Sequence, residues 1–343
     1  MKDDKQNQNI AVKAKEKKPW SKRKTIIFWS VGIVTSLGVG VGVGYILSSV
    51  FNSGTVGNYD NINVSKYAVD YDALVTKYQS LPEDTDYSKN FTPAEMANLS
   101  LSLLHRQNQW EIQGYGKTTF HVFGVSGDQI IRSTFIRDGQ SYFEESLSKS
   151  NMVQAAWRMY EDYDKGDQST VSRYSGTITG EATDASFASA TPTQYSRQDY
   201  YQHAGRYLDG IPCIYIISDK CLSPESQKTT SGIATGIQKT DDGYVVDLEL
   251  NPQITVKNYV LQMQATTDLA GPPTFQFVHL TFHLDSKLQL ISMRNYESYY
   301  AKTAAGAGSN LIGDVTSYVI SAPSSIPELN TPTSYDVDTS TNA

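Results

Sequence analysis

No charged residue occurs between Lys24 and Asp60, and the first part of this interval, Ile26 to Phe51, is strongly apolar and rich in glycine. About 20 helical residues cross the hydrocarbon core of a bilayer, so this stretch is long enough to span one with some tilt. A phosphate-binding glycine loop would need a preceding strand and a following Lys-Ser/Thr pair or distant acid, which the sequence lacks here. The sequence therefore predicts a transmembrane helix over residues 25–51.

Four glycines alternate within this stretch, at Gly38, Gly40, Gly42 and Gly44. Their spacing creates two overlapping small-xxx-small pairs, which let a second helix approach closely. The alternative is that they have no such role, since glycine is common in transmembrane helices. The pattern thus leaves homo-oligomerisation through this helix as one of two interpretations.

The charge around the apolar stretch predicts its orientation. Residues 1–24 hold nine Lys or Arg and three acids, a net charge of +6, whereas the whole chain carries −7. Basic tails stay on the cytoplasmic side, so we expect a single-pass protein of the cell membrane with residues 52–343 outside the cytoplasm. A cleaved signal peptide is the alternative, but this apolar stretch is longer than a signal h-region and its exit is a poor cleavage site. The remaining −13 does not favour nucleic acid as a partner.

The composition changes again after the apolar stretch and near the C-terminus. Residues 52–65 are polar and contain glycine, which is typical of a linker. Residues 322–343 are rich in Pro, Ser and Thr and are expected to form a flexible tail. The extracytoplasmic domain is therefore predicted over residues 66–321.

Helical periodicity predicts helices over 66–81, 92–104, 193–208 and 256–269. The clearest start is FTPAEM, where Thr92 is a good N-cap, Pro93 suits the first turn and Glu95 completes a capping box. Elsewhere the sequence alternates apolar and polar residues, with turn signals such as SGD, RDGQ and DKGD between short segments. The predicted fold class is α+β: one large, curved antiparallel β-sheet, a half-barrel, with helices on its concave face and a single transmembrane helix before it.

Three features resemble the bacterial lipoprotein-carrier superfamily, the group of LolA, LppX and LprG: the amphipathic helix at 92–104, the hairpin RDGQSYFEES at 137–146, and the closing hairpin at 280–300. The resemblance covers about residues 66–321 and implies an unclosed barrel whose concave face holds acyl chains or another apolar ligand. The predicted uncleaved anchor departs from this family, because a tethered domain cannot shuttle across an envelope. It shifts the expectation towards a membrane-held receptor, acceptor or sensor.

The search for catalytic or metal-binding residues yields none. His279 and His283 lie in an alternating segment, where four strand steps separate them by roughly 13 Å, too far to share one zinc ion. Ser126 in GVSGD lacks the spacing of a nucleophile elbow. The acidic run from Glu161 to Asp167 lacks the closing Glu of a calcium loop, and we expect a solvated hairpin turn there. Glu144 and Glu145 are neighbours on a strand and so face opposite sides. No catalytic residue, metal or cofactor is expected.

The predicted function is that of a non-enzymatic binding protein that holds a lipid, another apolar ligand or a lipidated partner. Candidate ligand-binding residues on the helices are Leu99, Leu103, Tyr200, Tyr207 and Met263. Cys213 and Cys221 can close a local disulfide in an oxidising compartment, and two free thiols are the alternative. Rival functions are a structural scaffold subunit of an envelope or conjugation assembly, with envelope proteins or a second copy as partners, and a transmembrane envelope sensor.

Overall fold

The computed structural model describes residues 57–122, 125–150, 154–179, 184–223, 230–266, 269–302 and 308–335. The predicted transmembrane helix and its glycine face lie outside these residues. Among the helices that the structure does describe, none is long and apolar enough to cross a membrane.

Antiparallel strands make up most of the domain, as the alternation predicts. Within the described residues they form one open sheet of twelve strands. The strands are β1 (Gln109–Val122), β2 (Val125–Asp138), β3 (Ser141–Lys149), β4 (Gln154–Asp162), β5 (Thr170–Thr179), β6 (Asp184–Ser186), β7 (Thr193–Ser196), β8 (Gly236–Lys239), β9 (Gly243–Leu250), β10 (Thr274–Asp285), β11 (Leu290–Lys302) and β12 (Gly308–Val319).

The sheet consists of two meanders joined at the middle. Strands β1 to β6 follow one another outward in one direction, with β7 also pairing with β5, and strands β8 to β12 run inward from the opposite edge. The first and last strands then pair with each other, from Ile112 opposite Val319 to His121 opposite Asn310. The chain must therefore cross the sheet between β7 and β8, and this crossing segment carries the helix Arg197–Ala204.

Glycine permits the close approach of β1 and β12. A Cβ atom on Gly116 would lie 2.2 Å from the Cα of Val315 and 2.0 Å from the carbonyl oxygen of Asp314. Any other residue at this position would force the two central strands apart. The β1–β12 pairing therefore depends on glycine at position 116 as well as on the hydrogen bonds between the strands.

In the described part of the chain, five α-helices accompany the sheet: α1 (Tyr71–Gln79), α2 (Pro93–His105), α3 (Arg197–Ala204), α4 (Pro252–Thr255) and α5 (Lys257–Thr266). The predicted capping box of α2 is confirmed, since the Thr92 side chain accepts from the Glu95 amide and the Glu95 side chain accepts from the Thr92 amide. Apart from its two ends, α2 is almost completely buried, with Met96, Leu99 and Leu101 fully inside the core.

The helix predicted at 193–208 is shorter than the periodicity suggested. Residues Thr193–Ser196 pair with β5 instead, and the helix begins after Ser196, whose side chain accepts from the Asp199 amide. It ends at Gly205, which has a φ of 72° and lies so close to α5 that a Cβ atom would be 2.1 Å from the Asn258 carbonyl oxygen. The requirement for glycine here is steric as well as conformational.

The segment 213–218 lies in the part of the chain where alternation predicts strands, but it forms none. The backbone of this segment bonds to helices: the Ile216 amide donates to the Thr255 carbonyl, and the Ile217 carbonyl accepts from the Asn98 side chain. These bonds satisfy the segment without a neighbouring strand. The segment thus covers one face of the sheet as an irregular loop.

Both predicted domain boundaries need correction. The linker expected at 52–65 is part of the domain from Gly57 onward, since Tyr59 is buried and its hydroxyl donates to the Pro273 carbonyl at 3.0 Å. The tail expected to be flexible from residue 322 lies on the sheet as far as Tyr335, whose hydroxyl donates to Glu145. Composition alone misled in both cases because isolated aromatic anchors hold otherwise polar segments.

We predict that Thr92→Ala lowers the free energy of unfolding by about 1 kcal/mol, because it leaves the Glu95 amide of α2 without its capping acceptor. Urea denaturation followed by circular dichroism measures the difference. The matched control is Thr76→Ala on the exposed side of α1, which should change stability by less than about 0.5 kcal/mol. Equal effects of the two substitutions would contradict the role of the capping box.

Candidate functional site

The helix-covered face of the sheet is filled by the protein's own side chains. The five residues predicted to bind a ligand do not line a common cavity: Leu99, Tyr200 and Met263 are buried within the main core, while Leu103 and Tyr207 are half-buried. An internal cavity of about 10 Å³ lies between Phe135, Met293 and the segment 212–215. This is room for about one water molecule and none for an acyl chain.

The same face also contains buried charged and polar groups. Arg206 forms an ion pair with Glu144, and both side chains are almost inaccessible to solvent. Nearby, Glu297 accepts hydrogen bonds from the hydroxyls of Tyr215 at 2.6 Å and Tyr259 at 3.2 Å. Not every buried atom is satisfied, since some have no hydrogen-bond partner among the described residues: Glu144 Oε1, Asn295 Oδ1 and the Tyr299 hydroxyl. So polar an interior disfavours an apolar ligand in the same space.

A larger open groove, of about 550 Å³, lies at the surface beside α1 and α2. Its lining mixes apolar and polar side chains from three segments: Val69, Asp70, Tyr71, Asp72, Ser102, His105, Arg106 and Ile211. Burial lowers the pKa of His105, and the nearby guanidinium groups of Arg137 and Arg106 lower it further. Ile211 lies two residues before the irregular loop, and residues 212–215 line the small cavity. This part of the chain therefore separates the groove from the interior.

Both cysteines are free thiols in the structure. Burial raises the pKa of Cys213 to about 11 and also raises that of Cys221. Thiols with raised pKa values are poor nucleophiles at neutral pH. The structure therefore shows the second of the two alternatives for this pair, and neither thiol is suited to nucleophilic chemistry.

His279 is not the ordinary polar-face residue that the sequence predicted. It is only 1% exposed, and its ring lies between two carboxylates, with Nε2 at 3.1 Å from Asp247 Oδ1 and Nδ1 at 3.6 Å from Glu249 Oε2. Ser231 joins the cluster, since its hydroxyl lies 3.2 Å from His279 Nδ1 and donates to Glu249 at 2.5 Å. In the sequence, the alternation of Asp247 and Glu249 places both carboxylates on one face of a strand. It does not show that His279 lies beside them, because that depends on the β9–β10 register, which places Glu249 opposite His279.

This cluster has the residue types of a hydrolase triad but a different arrangement. The Ser231 hydroxyl donates to Glu249, the histidine is held between two acids, and the serine is 6% exposed. A nucleophilic serine needs to give its proton to a neutral histidine and to reach a substrate. The geometry instead suits an ionic clamp that fastens the loop at Thr230–Ile233 to the sheet.

The remaining chemical candidates lie in ordinary structural settings. Ser126 is in the β1–β2 hairpin and contacts His121 Nδ1 at 2.6 Å. In the acidic run, Asp164 and Asp167 are solvated as predicted, but Glu161 is buried and accepts from the Ser169 hydroxyl. Within the described residues no group of His, Cys, Asp and Glu side chains could hold a metal ion.

Glu144 and Glu145 face opposite sides of β3, as predicted, and this divides the sheet into two chemically distinct faces. Glu144 pairs with Arg206 under the helices, whereas Glu145 pairs with Arg158 on the other, outer face. Glu145 and Arg158 are each only 2% exposed, although no helix covers them. What covers them is the segment Ser324–Tyr335, which we call the strap.

The strap lies on the outer face without joining the sheet as a strand. It runs from β1 to β4, turns where the Thr331 amide donates to the Glu328 carbonyl at 3.0 Å, and returns to β1 at Ser334. Arg158 Nη1 donates to the carbonyls of Glu328 and Leu329 at 3.1 and 2.7 Å. Further contacts run the length of the strap: Glu111 to the Ser324 amide, Tyr160 to the Pro327 carbonyl, Arg158 Nη2 to Thr333, Gln113 to the Ser334 carbonyl and Glu145 to the Tyr335 hydroxyl.

An apolar cluster lies beneath the strap. Leu147, Ala156, Ile178 and Phe187 are buried together, and Leu329 and Tyr335 pack against them. The guanidinium of Arg158 also stacks 4.7 Å from the Phe187 ring centroid. The outer face is therefore a built groove for a polypeptide segment, with apolar contacts and buried groups that bind backbone carbonyls.

No protein-family model matches this chain, and no curated protein matches it in sequence. Inference about function therefore starts from the geometry of these two faces.

We predict a pH-dependent effect of His279→Gln on stability. Burial alone would lower the pKa of His279, but its hydrogen bonds to Asp247 and Glu249 outweigh burial and raise it above 6.5. A raised pKa in the folded state means that the stabilisation is complete below pH 6.5 and is lost as the pH rises through the folded value. The wild-type advantage over the variant should therefore be largest near pH 6 and shrink by pH 9.

Chemical denaturation at pH 6 and pH 9 measures this difference. His283→Gln is the matched control, since His283 lies on the same strand face and is exposed. A pH-independent effect of His279→Gln, or an equal effect of the control, would contradict a charged histidine in the cluster.

Proposed function

We propose that this chain is a membrane-anchored, non-enzymatic scaffold subunit outside the cytoplasm that binds protein segments on the outer face of its sheet. The observation that carries the proposal is the strap. The outer face already holds a polypeptide segment through buried side chains, which is the chemistry of a peptide-binding surface.

The way in which the strap is bound supports this function. Most of its contacts are made to backbone carbonyls and amides, at residues 324, 327, 328, 329 and 334. Side-chain specificity comes from fewer positions, namely Leu329, Thr333 and Tyr335. Backbone contacts provide affinity for an extended chain, and a few side-chain positions provide selectivity.

The filled inner face argues in the same direction. Beneath the helices, the described residues leave a cavity of only about 10 Å³ beside the buried pairs around Glu144 and Glu297, and this space is too small and too polar for an acyl chain. To carry a lipid beneath the helices, the protein would have to move the segment 205–217 away from the sheet. A protein segment can bind the outer face without such a movement.

The anchor expected at residues 25–51 would hold this domain beside the membrane. In this proposal the basic tail lies in the cytoplasm, and the domain from Gly57 faces envelope proteins.

A second candidate is an apolar-ligand-binding protein of the lipoprotein-carrier type. It is favoured by the open antiparallel sheet with helices on one face, and by the groove of about 550 Å³ beside the covering loop. A lipid could enter from this groove if the segment Ile211–Tyr215 moved outward and let the half-barrel open. The unclosed barrel and its concave face are thus part of this second proposal.

Native mass spectrometry with lipid extraction on residues 57–343 distinguishes the two functions. The scaffold proposal predicts protein without a stoichiometric lipid and no binding of an apolar dye, because the inner face is full. A reproducible co-purifying lipid would overturn it in favour of the second candidate.

A pair of isoleucine substitutions locates any lipid that is found. Ile211→Trp narrows the groove and should reduce lipid occupancy if the lipid enters there. Ile291→Trp is the matched control, since Ile291 is 48% exposed and does not line the groove, and it should leave occupancy unchanged.

A further inference from the structure

We propose that the strap exchanges between copies of this chain: residues 324–335 of one copy occupy the outer-face groove of a second copy. The inference rests on the scaffold function proposed above and names the first partner of that surface. It adds that the groove is an assembly site and that its occupant in an assembly is another copy's C-terminal segment.

The groove is complete without its own strap. Arg158 is positioned by the hydrogen bond of Nε to Glu145 Oε2 at 2.5 Å, and this bond lies entirely within the sheet. The aromatic rings beneath the guanidinium belong to Phe143 and Phe187, which also precede the strap in the chain. These groups remain in place whichever chain supplies the carbonyls.

The strap is attached in a way that permits release. It forms no strand pairing with the sheet, so removing it breaks side-chain contacts but no β-ladder. Its connection to β12 is short: the Ile320 amide bonds to the Glu111 carbonyl and the Ser324 amide to the Glu111 side chain. Only residues 321–323 lie between, and Ser321 and Ala322 are exposed.

This connection has the properties of a hinge for segment exchange. Short connections that hold a segment against its own chain favour exchange, because the same contacts form between two copies without bending the hinge. Pro323 and Pro327 restrict the backbone on either side of Ser324 and favour extended conformations.

The spacing of contacts favours a second copy over an unrelated protein. Side chains of the groove bind the carbonyls of residues 327, 328 and 329, the hydroxyl of Thr333 and the hydroxyl of Tyr335. Every copy of this chain carries these groups at the same spacing. Reciprocal exchange would form the same contacts twice in a two-fold assembly. A shared membrane anchor would raise the effective concentration of one copy near another.

The test uses the full chain in mild detergent as strap donor and a labelled acceptor whose groove is vacant. The acceptor carries a protease site inserted after Ala322, so that its strap is removed only after the protein has folded. Circular dichroism before and after cleavage verifies that the fold is retained. Fluorescence anisotropy then measures binding of the acceptor to the unlabelled donor chain.

We expect the donor to bind the acceptor saturably, and Arg158→Leu in the acceptor to weaken binding by about tenfold or more, since it removes the charged donor to two carbonyls. The matched control is Lys117→Leu, which removes a cation of the outer face that pairs with Asp128 and does not contact the strap. Tyr335→Ala in the donor should weaken binding as well.

Two results would overturn the exchange. In one, a synthetic peptide of residues 321–343 binds the cleaved acceptor but the intact donor does not, which would mean that the strap stays with its own chain. In the other, Arg158→Leu binds the donor as tightly as Lys117→Leu does, which would place the contact elsewhere. The first result would leave the scaffold function standing, whereas only a co-purifying lipid would remove that function.

Discussion

Pairing between the first and the last strand, along ten residue pairs from Ile112–Val319 to His121–Asn310, determines where the other parts of the molecule lie. It joins two meanders into one sheet and places the first and the last strand of the sequence at the centre of that sheet. The connection between the meanders must then cross the sheet, and it carries α3, which packs against α5 from the β9–β10 connection.

The same pairing explains the position of the strap. Because β12 is central, the chain that leaves it at Ile320 emerges in the middle of the sheet and not at an edge. The inner face is already covered by the crossing segment and by α2, so the following residues run over the outer face. The buried Glu145–Arg158 pair lies in their path.

Alternation along β3 and β4 then gives each face its own chemistry. Glu144 and Glu145 differ by one residue, yet one is neutralised by Arg206 under the helices and the other by Arg158 under the strap. Removing one member of a buried ion pair leaves an uncompensated charge, so each pair requires its cover. The outer pair has a cover that lacks strand pairing and is therefore the exchangeable one.

Much of the fold could be predicted from the sequence, because alternation, turn residues and the Thr92–Glu95 capping box act locally. The antiparallel sheet, the α2 helix and the opposite orientation of Glu144 and Glu145 follow from such patterns. The β1–β12 pairing could not be predicted in this way, since it joins residues about two hundred positions apart and depends on the close approach at Gly116.

The sites were harder to predict for the same reason. His279 is clamped by Asp247 and Glu249 only through the β9–β10 register, and the strap is bound by Arg158, some 170 residues away. A Pro/Ser/Thr-rich composition indicates disorder unless distant partners exist, and sequence patterns do not show them. The anchor at 25–51 stays a prediction, as it lies outside the described residues.

The central claim is that the outer face recognises the strap through the buried Glu145–Arg158 pair. A double-mutant cycle of Glu145→Gln and Tyr335→Phe in the free energy of unfolding tests it most directly, because the Tyr335 hydroxyl donates to Glu145 at 2.8 Å. The account predicts a coupling energy of about 1 kcal/mol or more. Additivity within about 0.3 kcal/mol would show that the two groups are energetically independent and would contradict the account.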